Sequence, residues 1–309
     1  MISITDLKTK KRSILNKDEL KKVELKGMWL DFLDPSSSDI KNLAEKIGVD
    51  ASVFQTVEIR TYSTVTFIKN LCVIYFSSLT KSYDSKKVSP FIFVLSPDFM
   101  VTIRKEDTMP MKLGKERIEK DTNIKPYSAV YHIMDEILSD YFNYLEQAEN
   151  KGTAVEKEIL NRTDDNALKD LFKLKSELIV FNKLLWYERG VIASLKKSSF
   201  IPKGGAKELF DGLHDDIARQ IDIVETFIET LSDSMDAYLS IVSNKTNAIV
   251  KILTSITIIL FVPTIIGTFY GMNVNLPFQQ DANAFYFLIS SSFLLAAGIL
   301  AYFRHKKWI

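Results

Sequence analysis

The sequence predicts an α/β N-terminal domain, then a long helical stalk, then two membrane-spanning helices at the C-terminal end. Three observations predict it. Strand-like and helix-like segments alternate over the first hundred residues. After Gly205 no helix breaker except Gly212 precedes the first strongly apolar run. Residues 252–280 carry no charged side chain, and after Asp281 neither do 282–303. A bilayer core needs about 20 apolar residues in a helix. Each run supplies them, and soluble core helices rarely stay uncharged for so long.

The opening MISITDLKTKKRS has no apolar stretch after its basic residues, so it does not read as a secretory signal and the domain behind it is expected in the cytoplasm. GMWLDFLD (27–34) reads as a strand ending in an Asp-Pro turn. PSSSDIKNLAEKIG (35–48) has serine caps, helical spacing and a terminal glycine, and reads as a helix. STVTFIKNLCVIYFSSL (63–79) and PFIFVLSPDFMVTIR (90–104) are rich in β-branched and aromatic residues. Each breaks in the middle, at Lys69-Asn70 and at Ser96-Pro97-Asp98, so each is expected to be a hairpin. Together these segments form a domain over residues 1–120. Cys72, the only cysteine, excludes an intrachain disulfide and is expected as a small buried hydrophobe in a strand.

Residues 121–248 change to long helical patterns, from PYSAVY onward and again from NALKDLF. FIPKGGAKELF then signals a turn. If 206–270 is one helix, it is about 100 Å long at 1.5 Å per residue. In its stalk portion Ile217, Ile221, Val224, Ile228, Leu231, Met235 and Tyr238 recur at alternating spacings of four and three, a heptad seam. A shift of two residues, about 200° around a helix, lands on Asp215, Asp222, Thr226, Glu229, Asp233, Asp236, Ser240, Ser243 and Asn247. The same step continues through Val250, Thr254, Thr257, Phe261, Thr264 and Thr268 toward Asn273. Threonines repeated on one face of a spanning helix need a polar partner or water. In register with an acidic stripe, they favour a water-filled path on a symmetry axis. One helix cannot enclose a pore, so a homo-oligomer is expected.

The spans are placed at 249–270 and 284–303, joined by a loop at 271–283 and followed by a basic tail at 304–309. Lys245 and Lys251 flank the first span, Arg304, Lys306 and Lys307 follow the second, and the loop has no Lys or Arg. Basic residues mark the cytoplasmic side, so both termini are expected there, in a multi-pass protein of the inner or plasma membrane. A net charge of +1 gives no case for a nucleic-acid partner. The expected partners are further copies of the chain and membrane lipids. No phosphate loop, nucleophile elbow or metal-hydrolase motif is present, so neither an enzyme nor an organic cofactor is expected. His132 reads as structural, His305 as part of the tail, and His214 with two Asp falls short of a transition-metal signature.

YGMN (270–273), at the outer end of the first span, resembles the signature of the CorA family of divalent-cation channels. The run LSIVSNKTNAIVKILTSITIILFVPTIIGTFYGMN, with its intramembrane Pro263, is similar to that family's pore helix, and RHKKWI to its tail. The resemblance implies magnesium uptake, with cobalt or nickel as alternatives, through a funnel-shaped homopentamer lined by the first span. It implies Gly271, Met272 and Asn273 at the outer mouth, where five amide oxygens would hydrogen-bond a hydrated Mg²⁺ without stripping it. It further implies Asn247 and Thr264 as polar pore positions, and Val250, Leu253 and Phe261 as apolar constrictions. Asp236 matches a lower acidic ring. Phe261 stands where the family more usually has methionine.

Two departures matter. The loop VNLPFQQDANAF replaces an acidic loop seen in many members, and Asp281 is its only charge. The family's regulatory Mg²⁺ site uses acidic pairs between neighbouring domains. Here only Glu58 in FQTVEI and Asp211, Asp215 and Asp216 in FDGLHDD stand in the corresponding stretches. Two alternatives stay open: a zinc or other divalent-cation transporter of the same superfamily, and a membrane-tethered coiled-coil scaffold or sensor that conducts nothing.

Overall fold

A computed structural model describes residues 1–55, 63–80, 88–161, 165–277, 281 and 283–309. Two compact units divide the chain, and the division within its long helix falls between Ser232 and Asp233. The first unit opens with β1 (Ile2–Asp6), β2 (Arg12–Leu15), α1 (Lys17–Leu20), β3 (Met28–Leu33), α2 (Ser37–Ile47) and α3 (Ser52–Gln55). It continues with β4 (Thr64–Ile68), β5 (Leu71–Leu79), β6 (Val88–Leu95), β7 (Met100–Arg104) and α4 (Met109–Lys120). Then come α5 (Pro126–Asn161), α6 (Asp165–Lys197), α7 (Gly205–Tyr270) and α8 (Ala284–His305).

The strands form one seven-stranded sheet in the order β2-β1-β3-β7-β6-β5-β4. Only β3 and β7 run parallel. Both expected hairpins form. Lys69, at φ 51°, turns β4 into β5, and the Ser96 N–H donates to the Phe99 carbonyl at 2.9 Å to close β6 onto β7. The expected helix at 35–48 is α2, with Ser36 as its N-cap and Gly48 in the left-handed conformation at its end. Several elements went unanticipated: the four-residue α1 and α3, and two larger features. One is the β1–β2 hairpin, whose turn is pinned by Lys8 and Thr9 N–H groups donating to Asp6 Oδ1 at 2.8 and 3.0 Å. The other is α4, which starts with proline in its first turn.

Both faces of the sheet are covered, which is why its inner strands read as nearly continuous apolar runs. Leu30, Phe32, Val73, Tyr75, Ile92, Val94, Val101 and Ile103 lie on one face, packed with Leu43, Ala44 and Phe54. Alternation puts Trp29, Asp31, Cys72, Ile74, Phe91, Phe93, Thr102 and Arg104 on the other, and all are buried. Cys72 is thus the small buried hydrophobe expected, and burial pushes its thiol up to about 12.

The second face carries a charged network at the parallel pair. Arg104 donates to both oxygens of Asp31 at 3.0 Å, and Lys115 of α4 donates to Oδ2 at 2.8 Å. The Thr102 hydroxyl reaches Asp31 at 2.9 Å and receives the Trp29 indole N–H at 3.1 Å. Asp31 and Arg104 are 4% and 3% exposed, so both charges need compensation; Asp31 has Arg104 and Lys115, and Arg104 has Asp31 and, at 2.8 Å, Asp107. Burial alone would raise the Asp31 carboxyl. Hydrogen bonds and charge from Arg104, with Lys115, outweigh that and hold it below the usual carboxylate range.

Asp31→Ala removes the two-oxygen partner of Arg104 and the partner of Lys115, leaving Arg104 with Asp107 at 2.8 Å, and is expected to cost about 3 kcal/mol, read as a lower denaturation midpoint of the full chain. Because the folded value is depressed, Asp31 contributes above the usual carboxylate pKa and loses that contribution as pH falls through the folded value. The gap between wild type and variant should therefore narrow in strong acid. A pH-independent gap, or a loss below about 1 kcal/mol, contradicts this role.

Candidate ion pathway

The helix α7 is continuous from Gly205 to Tyr270, as the absence of breakers implied. The seam is buried at Ile217, Ile221, Val224, Leu231, Met235 and Tyr238, and half-buried at Ile228. Every residue of the opposite stripe is exposed on the single chain. This holds for the acids Asp215, Asp222, Glu229, Asp233 and Asp236, for Ser240, Ser243 and Asn247, and for Val250, Thr254, Thr257, Phe261, Thr264 and Thr268. Leu253 is exposed as well.

Three of the four threonines in the apolar part of the stripe share one bonding pattern. Thr257 Oγ1 donates to the Leu253 carbonyl at 2.9 Å, Thr264 Oγ1 to Leu260 at 2.8 Å, and Thr268 Oγ1 to Thr264 at 2.7 Å. Thr226 does the same to Asp222 at 2.9 Å in the acidic portion. A hydroxyl has one proton and two lone pairs. With the proton committed to the helix backbone, the oxygen offers the surroundings acceptors only. Such a surface suits a cation, or the water protons of a hydrated cation, and disfavours an anion. The same bond makes a threonine tolerable in hydrocarbon, so the bonds suit lipid contact as well as a path, and what Thr257, Thr264 and Thr268 have in common beyond them is one helix face.

At the outer end the helix tightens. The Gly271 N–H is shared between the carbonyls of Gly267 at 3.0 Å and Thr268 at 3.2 Å, and Met272 N–H donates to Phe269 at 3.3 Å. Gly271 is not among the residues with positive φ. A Cβ there would lie 3.3 Å from the Gly267 carbonyl oxygen, a close approach. The Tyr270 hydroxyl donates to the Pro277 carbonyl at 3.4 Å and ties the loop back to the helix end. Between these points Met272 and Asn273 are exposed, and the Asn273 amide has no hydrogen-bond partner among the described residues. Asp281 Oδ1 accepts the Asn283 N–H at 2.9 Å, so the loop's single charge also serves the start of α8. Neither the Tyr270 tie nor this cap has a signal in the sequence.

The acids weighed for a regulatory site are engaged one by one. Asp211 pairs with Lys196 at 2.5 Å, and that hydrogen bond holds its carboxyl below the usual range. His214 Nδ1 lies 3.6 Å from Asp215, and Arg219 pairs closely with Asp216. Glu58 lies outside the described residues. Within one chain, and among the described residues, no group of three or more His, Cys, Asp or Glu is placed to hold a metal. His132 is half-buried against Asp121 at 3.4 Å.

The two apolar helical runs persist as α7 and α8, both long and apolar enough to cross a membrane. The basic tail is ordered after α8. Lys307 adopts φ 56°, Trp308 N–H donates to the Phe303 carbonyl at 3.0 Å, and the two rings stack at 5.3 Å.

A family model described as CorA-like Mg²⁺ transporter protein matches residues 25–306. The chain is 26% identical to the cobalt/magnesium transport protein CorA of Methanocaldococcus jannaschii, with 94% of each chain covered. It is 26% identical to the protein of the same description from Thermotoga maritima, covering 91% of this chain and 83% of that one. The complete structure of the CorA magnesium transporter from M. jannaschii superposes with a TM-score of 0.86 at 24% identity, over 100% of this chain and 99% of the other.

Because Cys72 is buried and its thiol is raised to about 12, the native chain should be silent to charged thiosulfonates. Single cysteines at Thr257, Thr264 and Thr268 in membrane-embedded protein should react from water, and cysteines at Ile259 and Ile266, about 200° away, should not. Equal protection at all five positions contradicts a water-filled path along this face.

Proposed function

The chain belongs to the CorA family of Mg²⁺ transporters, and on that premise we propose that it passes Mg²⁺ inward through a homopentameric pore lined by α7. The observation that carries the pathway is the exposed stripe itself. Carboxylates give way to acceptor-only hydroxyls, which lead to an uncharged amide with no partner among the described residues at Asn273.

The order of groups suits a divalent cation that sheds water reluctantly. At the mouth, five Asn273 amides would accept hydrogen bonds from the water shell. Gly271 and the Tyr270–Pro277 tie hold that amide at the end of the helix. Below it, Thr268 and Thr264 repeat the acceptor chemistry about 6 Å apart along the axis. Neutral oxygens bind weakly enough for an ion to move on, whereas a ring of five carboxylates would hold a divalent ion too firmly for conduction. Phe261, Leu253 and Val250 then supply apolar rings that close by excluding water. Asp236 and the acids below it concentrate cations on the cytoplasmic side. The membrane potential supplies about 2.3 kcal/mol per charge per 100 mV. With Asp281 as the only loop charge, capture from outside relies on the amide ring more than on long-range attraction.

In proteoliposomes with a negative-inside potential, Asn273→Ala is expected to lower Mg²⁺ uptake at least about tenfold, equivalent to roughly 1.4 kcal/mol, while the oligomer stays intact. Equal uptake by the two proteins refutes the amide ring. No uptake of Mg²⁺, Co²⁺ or Zn²⁺ by a folded wild-type oligomer favours a scaffold that conducts nothing. Thr264→Val should impair uptake and Thr264→Ser should restore it. Equal rates in all three proteins would remove the hydroxyls from the pathway.

A further inference from the structure

One buried acid lies outside the α7 stripe and is unexplained by the pathway. Glu188 of α6 is 0% exposed. Among the described residues no charged group offsets it; only hydrogen bonds from neutral donors do. Its Oε1 receives the Ser63 hydroxyl at 3.2 Å, the Ser77 backbone N–H at 3.0 Å and the Tyr141 hydroxyl at 3.0 Å. Tyr141 Oη is also 2.7 Å from the Ser77 carbonyl, so its single proton serves two acceptors. Oε2 has no partner among the described residues.

The location gives the contact its meaning. β4 pairs with β5 from Ile68↔Leu71 to Thr64↔Tyr75. β5 runs on to Leu79, past the last β4 pair at Tyr75, so Ser77, opposite Pro90 of β6, has no β4 partner among the described residues. Both backbone groups of Ser77 are instead taken by helix side chains, the N–H by Glu188 of α6 and the carbonyl by Tyr141 of α5. Two helices thus grip the sheet edge at one residue.

A glutamine would make the same static contacts. What glutamate adds is a proton that can leave. Tyr141 and Asp140 are the ionisable groups toward α5, and burial raises both. Ser63 and the β5 edge contribute only a hydroxyl and an amide. On α6 itself, the Arg189 guanidinium lies over the Trp186 ring at 5.2 Å. Burial, with no countercharge, lifts the Glu188 carboxyl well above the usual range, and the three donors offset this only in part.

We propose that Glu188 is a proton-operated latch between the α5–α6 helices and the β4–β5 edge. As a neutral acid it fastens Ser63 and Ser77 to α6. When its proton passes to water the buried anion has no countercharge among the described residues, and the attachment loosens. The folded chain keeps this proton at pH values where the unfolded chain has lost it. The latch is therefore at full strength below the usual carboxylate range and weakens as pH rises toward the raised folded value. It stands independently of the transport reading.

The test is hydrogen exchange of the full-length oligomer, corrected for intrinsic rates, in peptides covering 63–79 and 181–192. Wild type should lose protection with rising pH, by up to about tenfold per pH unit for one linked proton. Glu188→Gln should show no such slope. Infrared spectra of wild type should contain a protonated carboxylic-acid band that fades over the same pH range and is absent from the variant. The wild-type spectra and exchange stand even if the variant folds poorly. A flat wild-type profile, an equal slope in both proteins, or no acid band to fade overturns the latch.

Discussion

Everything functional here depends on α7 keeping one helical phase over 66 residues. A single-residue slip would rotate everything beyond it by about 100° and separate the acids below from the hydroxyls above. Pro263 is the one residue inside the helix with no N–H, and the helix continues through it to Tyr270. The same phase sets a geometric demand. A strict seven-residue repeat drifts about 20° per heptad on a straight helix. Over the span from Asp215 to Thr268 that amounts to roughly 150°. The stripe can face one axis along its length only if the copies of α7 coil around each other with left hand.

The chemistry of the stripe changes with its surroundings. Where water is plentiful, Asp222, Glu229, Asp233 and Asp236 are carboxylates. Across the apolar run Thr257, Thr264 and Thr268 present hydroxyls whose protons are tied to the backbone, Phe261 lies among them, and full charges are absent from 252–280. A carboxylate in hydrocarbon is costly and would hold Mg²⁺ tightly. A back-bonded hydroxyl avoids both penalties while still presenting lone pairs. Glu188 and Asp31 show the same physics in the soluble unit. Asp31, beside Arg104 and Lys115, is held below the usual carboxylate range, whereas Glu188, with only neutral donors among the described residues, is lifted well above it.

Much of this was legible in the residues. Uncharged runs mark the spans, serine and Gly48 bracket α2, and Lys69-Asn70 marks a turn that the structure places between β4 and β5. The α7 stripe follows from spacing alone. Other features were hidden because their partners are far apart in sequence. Glu188 meets Ser63 across 125 positions and Tyr141 across 47. Asp31 finds Arg104 across 73. No local pattern announces such meetings. The β1–β2 hairpin was missed for a different reason: Ile2 and Ile4 give too short an alternation to separate from a polar terminus.

The most direct measurement is a structure of the full chain in lipid nanodiscs with Mg²⁺ present. Several copies of α7 should surround one axis in a left-handed coil, with Asp236, Thr264, Thr268 and Asn273 turned toward it and ion or water density beside the Asn273 amides. An assembly in which Ile217, Val224 and Leu231 face the axis, or in which Thr264 and Thr268 face lipid, would contradict the pathway.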